Sequence, residues 1–136
     1  MNYSNIRAKD IMKRDVIIVK ENTQICEAIK TLLDNQITGL PVVSDDMSLV
    51  GIVTEKDLMK LLDRLDVKRM LRPISDVITR DVVTFNEDED MNIIYDCFMT
   101  NTFRRVPILS KKGKLVGIIS RRDIIKSALI ELGFDL

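Results

Sequence analysis

Two short stretches carry the residues best suited to chemistry: Gly51-Ile52-Val53-Thr54-Glu55-Lys56-Asp57 and Gly117-Ile118-Ile119-Ser120-Arg121-Arg122-Asp123. In each, a hydroxyl residue, Thr54 or Ser120, ends a β-rich apolar run, and a carboxylate follows three residues later. A helix opening at that hydroxyl leaves backbone N–H groups free to hold a phosphate, while the acid can accept hydrogen bonds from ribose hydroxyls. The same spacing is also close to a capping box, in which hydroxyl and acid satisfy only the helix's own end. The two readings are compatible, because one residue can do both. Gly51 and Gly117 likewise have two readings: easing the packing of crossing strands, or allowing a flat ligand to approach.

Little else in the chain points to catalysis. Histidine is absent, which removes the commonest general base and the commonest zinc ligand. Cys26 and Cys97 lack the spacing of a metal or redox pair and read as partly buried small hydrophobes. The acidic run Glu87-Asp88-Glu89-Asp90 opens a predicted helix, where negative side chains meet the helix dipole favourably. It lacks the glycine and terminal glutamate of a calcium loop. No catalytic residue and no metal ligand is therefore assigned. Lys plus Arg (21) balances Asp plus Glu (21), so no global field draws the chain to nucleic acid or anionic lipid. With four Phe, two Tyr and no Trp for stacking bases, nucleic-acid binding is disfavoured. Residues 1–10 hold no apolar run fit for a signal peptide, and no stretch approaches the roughly 20 apolar residues of a membrane span. A cytoplasmic location is expected, and the isolated cysteines suit a reducing compartment.

The elements that position the two stretches come from a duplication. At an offset of 66, residues 8–58 align with 74–124 without a gap, and 13 of the 51 positions are identical. Two copies are too few for a solenoid, so a closed pair with pseudo-twofold symmetry is expected. Val16–Val19 and Val82–Phe85 read as short strands. Ile25, Ala28, Ile29, Leu32 and Leu33, like Met91, Ile94, Tyr95, Phe98 and Met99, have the spacing of an amphipathic helix. Leu40–Val43 with Leu49–Val53, and Val106–Leu109 with Leu115–Ile119, flank polar turns and read as hairpins. Helices with apolar Leu58, Leu61, Leu62 and Leu65, or Ile124, Ile125, Ala128, Leu129 and Leu132, follow Thr54 and Ser120. Each copy is thus strand, helix, strand, strand, helix, in a mixed α/β (α+β) class. The copies span 8–66 and 74–133, joined by a charged linker over 67–73 that ends at Pro73. At 136 residues and 46% apolar, the chain fills one ordinary core and has no room for a large multidomain enzyme.

In this order and in duplicate, the motifs resemble a cystathionine-β-synthase (CBS) domain pair, or Bateman module. They are the openings Ala8-Lys9-Asp10-Ile11-Met12 and Ile74-Ser75-Asp76-Val77-Ile78, the segments Thr38-Gly39-Leu40-Pro41-Val42-Val43 and Arg104-Arg105-Val106-Pro107-Ile108-Leu109, and the Gly-x-x-Thr/Ser-x-x-Asp endings. The resemblance covers about residues 8–130. It implies two packed βαββα units with two related clefts between them that bind adenosine-containing ligands: AMP, ADP, ATP or S-adenosylmethionine. Carried over, Asp57 and Asp123 would hold ribose, and Thr54 and Ser120 would lie near phosphate. The implied ligand-binding set also takes in Gly39, Leu40 and Pro41, and Val106, Pro107 and Ile119. Lys56 and Arg122, just before each motif aspartate, are further phosphate candidates. Such modules often pair as a homodimer through their helices. The implied function is a non-enzymatic sensor whose downstream protein partner the sequence does not name. The alternative is a structural dimerisation module whose motif residues only cap helices.

Charge separates the two clefts. Residues 104–126 hold eight basic residues against Asp123 alone, whereas residues 38–60 hold Lys56 and Lys60 against four acids. Three residues before the motif proline, where similar proteins often place a phosphate-binding arginine, stand Arg104 and Thr38. The Asp123 cleft, with Arg104, Arg105 and Arg121 near the motif, is expected to be the stronger phosphate site. Lys111, Lys112 and Lys114 read as a solvated hairpin face.

Overall fold

The computed structural model of the chain describes residues 5–136; Met1–Ser4, part of the N-terminal stretch read for a signal peptide, lie outside them. It is a mixed α+β structure with two three-stranded sheets. In the first, β1 (Val19–Lys20) runs parallel to β2 (Gly39–Val43), which pairs antiparallel with β3 (Leu49–Thr54). Helix α2 (Ile25–Asp34) connects β1 to β2, and α3 (Glu55–Met59) follows β3. The second sheet repeats this with β4 (Phe85–Asn86), β5 (Arg105–Leu109) and β6 (Leu115–Ser120), connected and followed by α5 (Met91–Thr100) and α6 (Arg121–Glu131). The offset of 66 survives in the hydrogen bonding: both hairpins slip register at the same place, between Val42 and Val43 and between Ile108 and Leu109.

The compact units differ from the sequence copies. One unit is Ile17–Val82; the other joins the chain up to Val16 with Val83–Leu136. The opening of each copy therefore packs in the unit built by the other. Helix α1 (Ala8–Ile11) is fastened by N–H groups of Ala8 and Lys9 to carbonyls of Glu89 and Glu87, both at 2.9 Å. In the other unit, Ile74 and Ser75, in a 3-10 turn over Ile74–Asp76, bond to Thr23 and Glu21 in the same way. The expected linker is ordered: Asp66 caps a short helix α4 (Val67–Met70), and Ile25 donates to the Arg72 carbonyl.

Each unit has its own apolar core. Ile25, Ala28 and Leu32 pack on Leu40, Val42, Val53, Leu61 and Ile74 in one; Met91, Ile94 and Phe98 pack on Val106, Ile108, Ile119 and Ile124 in the other. Three expectations are corrected. The runs Val16–Val19 and Val82–Phe85 are strand only at Val19–Lys20 and Phe85–Asn86, because pairing begins at Val19 with Val42 and at Phe85 with Ile108. The helix after Thr54 tightens into a 3-10 segment at Lys60–Arg64. The apolar stripes are narrower than their spacing: Leu33, Met99, Leu62, Leu65, Ile125, Leu129 and Leu132 are exposed, since one sheet face covers only one side of each helix.

Candidate functional site

The capping box is fully formed at both motifs. Ser120 has extended backbone geometry at the end of β6, and its Oγ accepts the Asp123 N–H at 3.3 Å. Asp123 Oδ2 accepts the Ser120 N–H at 2.8 Å and the Ser120 hydroxyl at 2.9 Å. Thr54 and Asp57 make the same three bonds at 3.2, 2.9 and 3.0 Å. One carboxylate oxygen of each aspartate is thus committed to the helix end. The other, Oδ1, faces a residue from the opening of the opposite copy.

That residue is Lys13 at Asp123 and Thr79 at Asp57. The Lys13 ammonium lies 3.4 Å from Asp123 Oδ1. The Thr79 hydroxyl donates toward Asp57, at 3.1 Å from Oδ1 and 3.3 Å from Oδ2. Both residues are anchored by their backbones: Lys13 exchanges two hydrogen bonds with Ile118, at 2.9 and 3.0 Å, and Thr79 exchanges two with Ile52, at 2.8 and 2.9 Å. This pairing decides the role of the motif glycines. A Cβ at Gly51 would stand 2.5 Å from the Thr79 carbonyl oxygen, and one at Gly117 would stand 2.5 Å from Met12 Sδ and 3.0 Å from the Lys13 carbonyl. The close approach is made by the chain itself rather than by a ligand. Lys13 and Thr79 escape sequence reasoning because they differ from each other and lie more than 20 residues from the aspartates they meet. The signal that could have found them is their shared place at offset 66, three residues after Asp10 and Asp76.

Asp123 is 7% exposed, yet it borders an open groove of about 1060 Å3. Ile6, Ile11 and Lys13 line one part of this groove, and Arg122, Lys126 and Ile130 another. Asp10, also on its wall, is committed to the Arg7 N–H at 2.9 Å. Three cations therefore share a partly apolar groove with a carboxylate whose Oδ1 meets, among the described residues, an exposed ammonium: the Lys13 side chain is 67% exposed. Such a setting accepts hydrogen bonds from hydroxyls and attracts negative charge.

The other sequence-selected residues fall into groups. Arg105 pairs in register with Ser120, which puts it beside the motif. Burial, then the neighbouring Arg104 charge, lowers its guanidinium pKa from the usual value. Arg104 and Arg121 are exposed; the Arg121 N–H bonds to the Arg104 carbonyl and its guanidinium to the Thr102 carbonyl at 3.0 Å. Arg122 reaches the groove, and Lys56 is exposed next to Asp57. Leu40, Val106 and Ile119 are core residues, so any contact they make with a ligand runs through their backbone. Gly39 pairs with Thr54, and Pro41 and Pro107 are buried mid-strand opposite Ile52 and Ile118. Lys111 and Lys112 sit exposed in the hairpin turn. The acidic run holds the opening of the first copy: Asp90 caps α5, and Asp88 binds Lys9 at 2.8 Å. That hydrogen bond holds Asp88 below the usual carboxylate range and raises Lys9.

The CBS domain family model matches residues 8–64 and 74–129. Protein MJ1225 of Methanocaldococcus jannaschii is 40% identical over 123 residues, 90% of this chain and 42% of its own length. The chain thus spans less than half of that curated relative. CBSX2 of Arabidopsis thaliana, solved in complex with AMP, superposes with a TM-score of 0.82 at 28% identity, over 94% of this chain and 99% of that one. The CBS domain pair of protein MJ0100, in complex with 5'-methylthioadenosine and S-adenosyl-L-methionine, superposes at 0.73 with 30% identity, over 95% and 98%.

Proposed function

Because the chain belongs to the CBS domain family, we propose that it is a non-enzymatic regulatory module that binds an adenosine-containing ligand: AMP, ADP, ATP or S-adenosylmethionine. The observation that carries this reading is Asp123 Oδ1, free of the capping box and bordering a groove lined by Lys13, Arg122 and Lys126. Asp123 accepts ribose hydroxyls through Oδ1; Ser120, Arg105 and the groove cations serve the phosphates, with Arg104 and Arg121, outside the groove lining, as further phosphate candidates. Asp57 with Thr54 and Lys56 forms a second, less basic site. The AMP bound to CBSX2 and the adenosyl ligands bound to MJ0100 support this class of ligand. Regulation follows if the ligand binds two states of the module with different affinities, because nothing else shifts a conformational equilibrium. A second copy of the chain is the proposed first partner, supported by the exposed apolar side chains of α6, and the cytoplasm is the proposed location, supported by two free cysteines.

The complete capping boxes favour a second reading, in which the motif residues only end helices and association is the chain's main property. Calorimetric titration with AMP, ADP, ATP and S-adenosylmethionine separates the two. Binding by at least one ligand, weakened tenfold or more in Asp123→Ala while the fold persists, supports the sensor. Loss of only the ~1 kcal/mol of a missing cap, with no heat from any ligand in the parent, supports the structural reading.

A further inference from the structure

The duplication supplies an internal control at the two motif aspartates. At offset 66, Arg121 and Arg104 match Glu55 and Thr38, but four positions of the motif and its helix are alike in kind: Asp123 matches Asp57, Ser120 matches Thr54, Arg122 matches Lys56 and Lys126 matches Lys60. The residue touching the aspartate is not: it is the ammonium of Lys13 at one and the neutral hydroxyl of Thr79 at the other.

We propose that Lys13 is the specificity-determining residue of the Asp123 site, selecting phosphorylated adenosyl ligands over neutral or cationic ones. The inference deepens the adenosyl-binding reading and rests on it. The Lys13 ammonium sits 3.4 Å from the carboxylate oxygen that the capping box leaves over. A ribose hydroxyl that takes this oxygen displaces the ammonium. A nucleotide returns an anion to the displaced charge; adenosine or a sulfonium ligand does not, and its binding bears the loss of the ion pair. No such selection operates at Asp57, because the Thr79 hydroxyl can rotate, receive a hydrogen bond and stay in place. The ammonium moves without disturbing the fold, since the segment is held by its backbone bonds to Ile118. Thr79, holding the equivalent bonds to Ile52, shows that threonine suits the position.

The test is calorimetric titration of the full chain with ATP and with adenosine, in an Asp57→Asn background that leaves the Asp123 site alone. Lys13→Thr is expected to weaken ATP binding about tenfold, ~1.4 kcal/mol, while adenosine binding stays equal or tightens. The reciprocal Thr79→Lys, in an Asp123→Asn background, is expected to strengthen ATP over adenosine by a similar factor and tests the idea independently of how Lys13→Thr folds. An unchanged ATP-to-adenosine ratio in both variants overturns the proposal while leaving the adenosyl-binding reading intact. Absence of binding by both ATP and adenosine to the unmodified chain overturns this proposal, and absence of binding by AMP, ADP and S-adenosylmethionine as well overturns the adenosyl-binding reading.

Discussion

At the scale of single residues, each motif aspartate divides its labour between its two oxygens. Oδ2 closes the helix end, and Oδ1 meets the opposite copy's opening. The local half of this arrangement was legible as hydroxyl and acid at capping spacing, because a capping box is formed by residues three apart. The other half was not, because Lys13 and Asp123 meet only through folding. A second contrast between the copies concerns the hairpin turns. Gly113 has φ +78°, and its counterpart Met47 takes φ 69°, a left-handed conformation that costs an L side chain roughly 1–2 kcal/mol. No atom would obstruct a side chain at Gly113, so backbone strain alone sets the effect there. Gly113→Ala is expected to destabilise the protein by about 1 kcal/mol and Met47→Gly to stabilise it by up to a similar amount, read as opposite shifts in the urea midpoint.

At the scale of elements, β3 and β6 each bond to a hairpin partner on one side and to an incoming opening segment on the other, at Thr79 and Lys13. The motif glycines make room for those segments, and the obstacles differ. At Gly51 a new Cβ meets the Thr79 carbonyl, which the two bonds to Ile52 hold fixed; at Gly117 it first meets the flexible end of Met12. Both alanine substitutions are expected to destabilise, Gly51→Ala by about 2–3 kcal/mol and Gly117→Ala by roughly half as much, measured by denaturant unfolding. An equal or reversed order would mean that the segment over β3 yields more easily than its hydrogen bonds indicate. The hairpins and the helices α2 and α5 followed from sequence, since alternation and 3.6-residue spacing report which face each element buries. The exposed half of α6 and the tightening after Met59 did not, because spacing cannot tell a core face from a face left for another surface.

At the scale of the whole chain, two units with separate cores are built from one duplicated sequence, each completed by the opening of the other copy. Exposed apolar side chains run from Ile125 in the middle of α6 to Ile130 near its end, followed by Leu132, Phe134 and Leu136. Exposed apolar surface of this kind marks association. The chain is expected to sediment as a dimer at micromolar concentration, and the double substitution Leu132→Glu with Phe134→Glu, at exposed side chains outside the groove lining, to sediment as a monomer with unchanged circular dichroism. A dimer that persists in this variant would place the interface elsewhere. The sequence by itself determined the duplication, the order of elements in each copy, the two hydroxyl–acid motifs and the excess of positive charge around the second. Each of these is written in local spacing or in the match of the chain to itself. Only the tertiary structure decided that the openings change places, that the motif glycines admit backbone rather than ligand, and that Lys13 and Thr79 face the two aspartates. Those contacts join segments distant in the chain, and their partners are chosen by the shape and hydrogen bonding of the folded units, which no spacing along the sequence records.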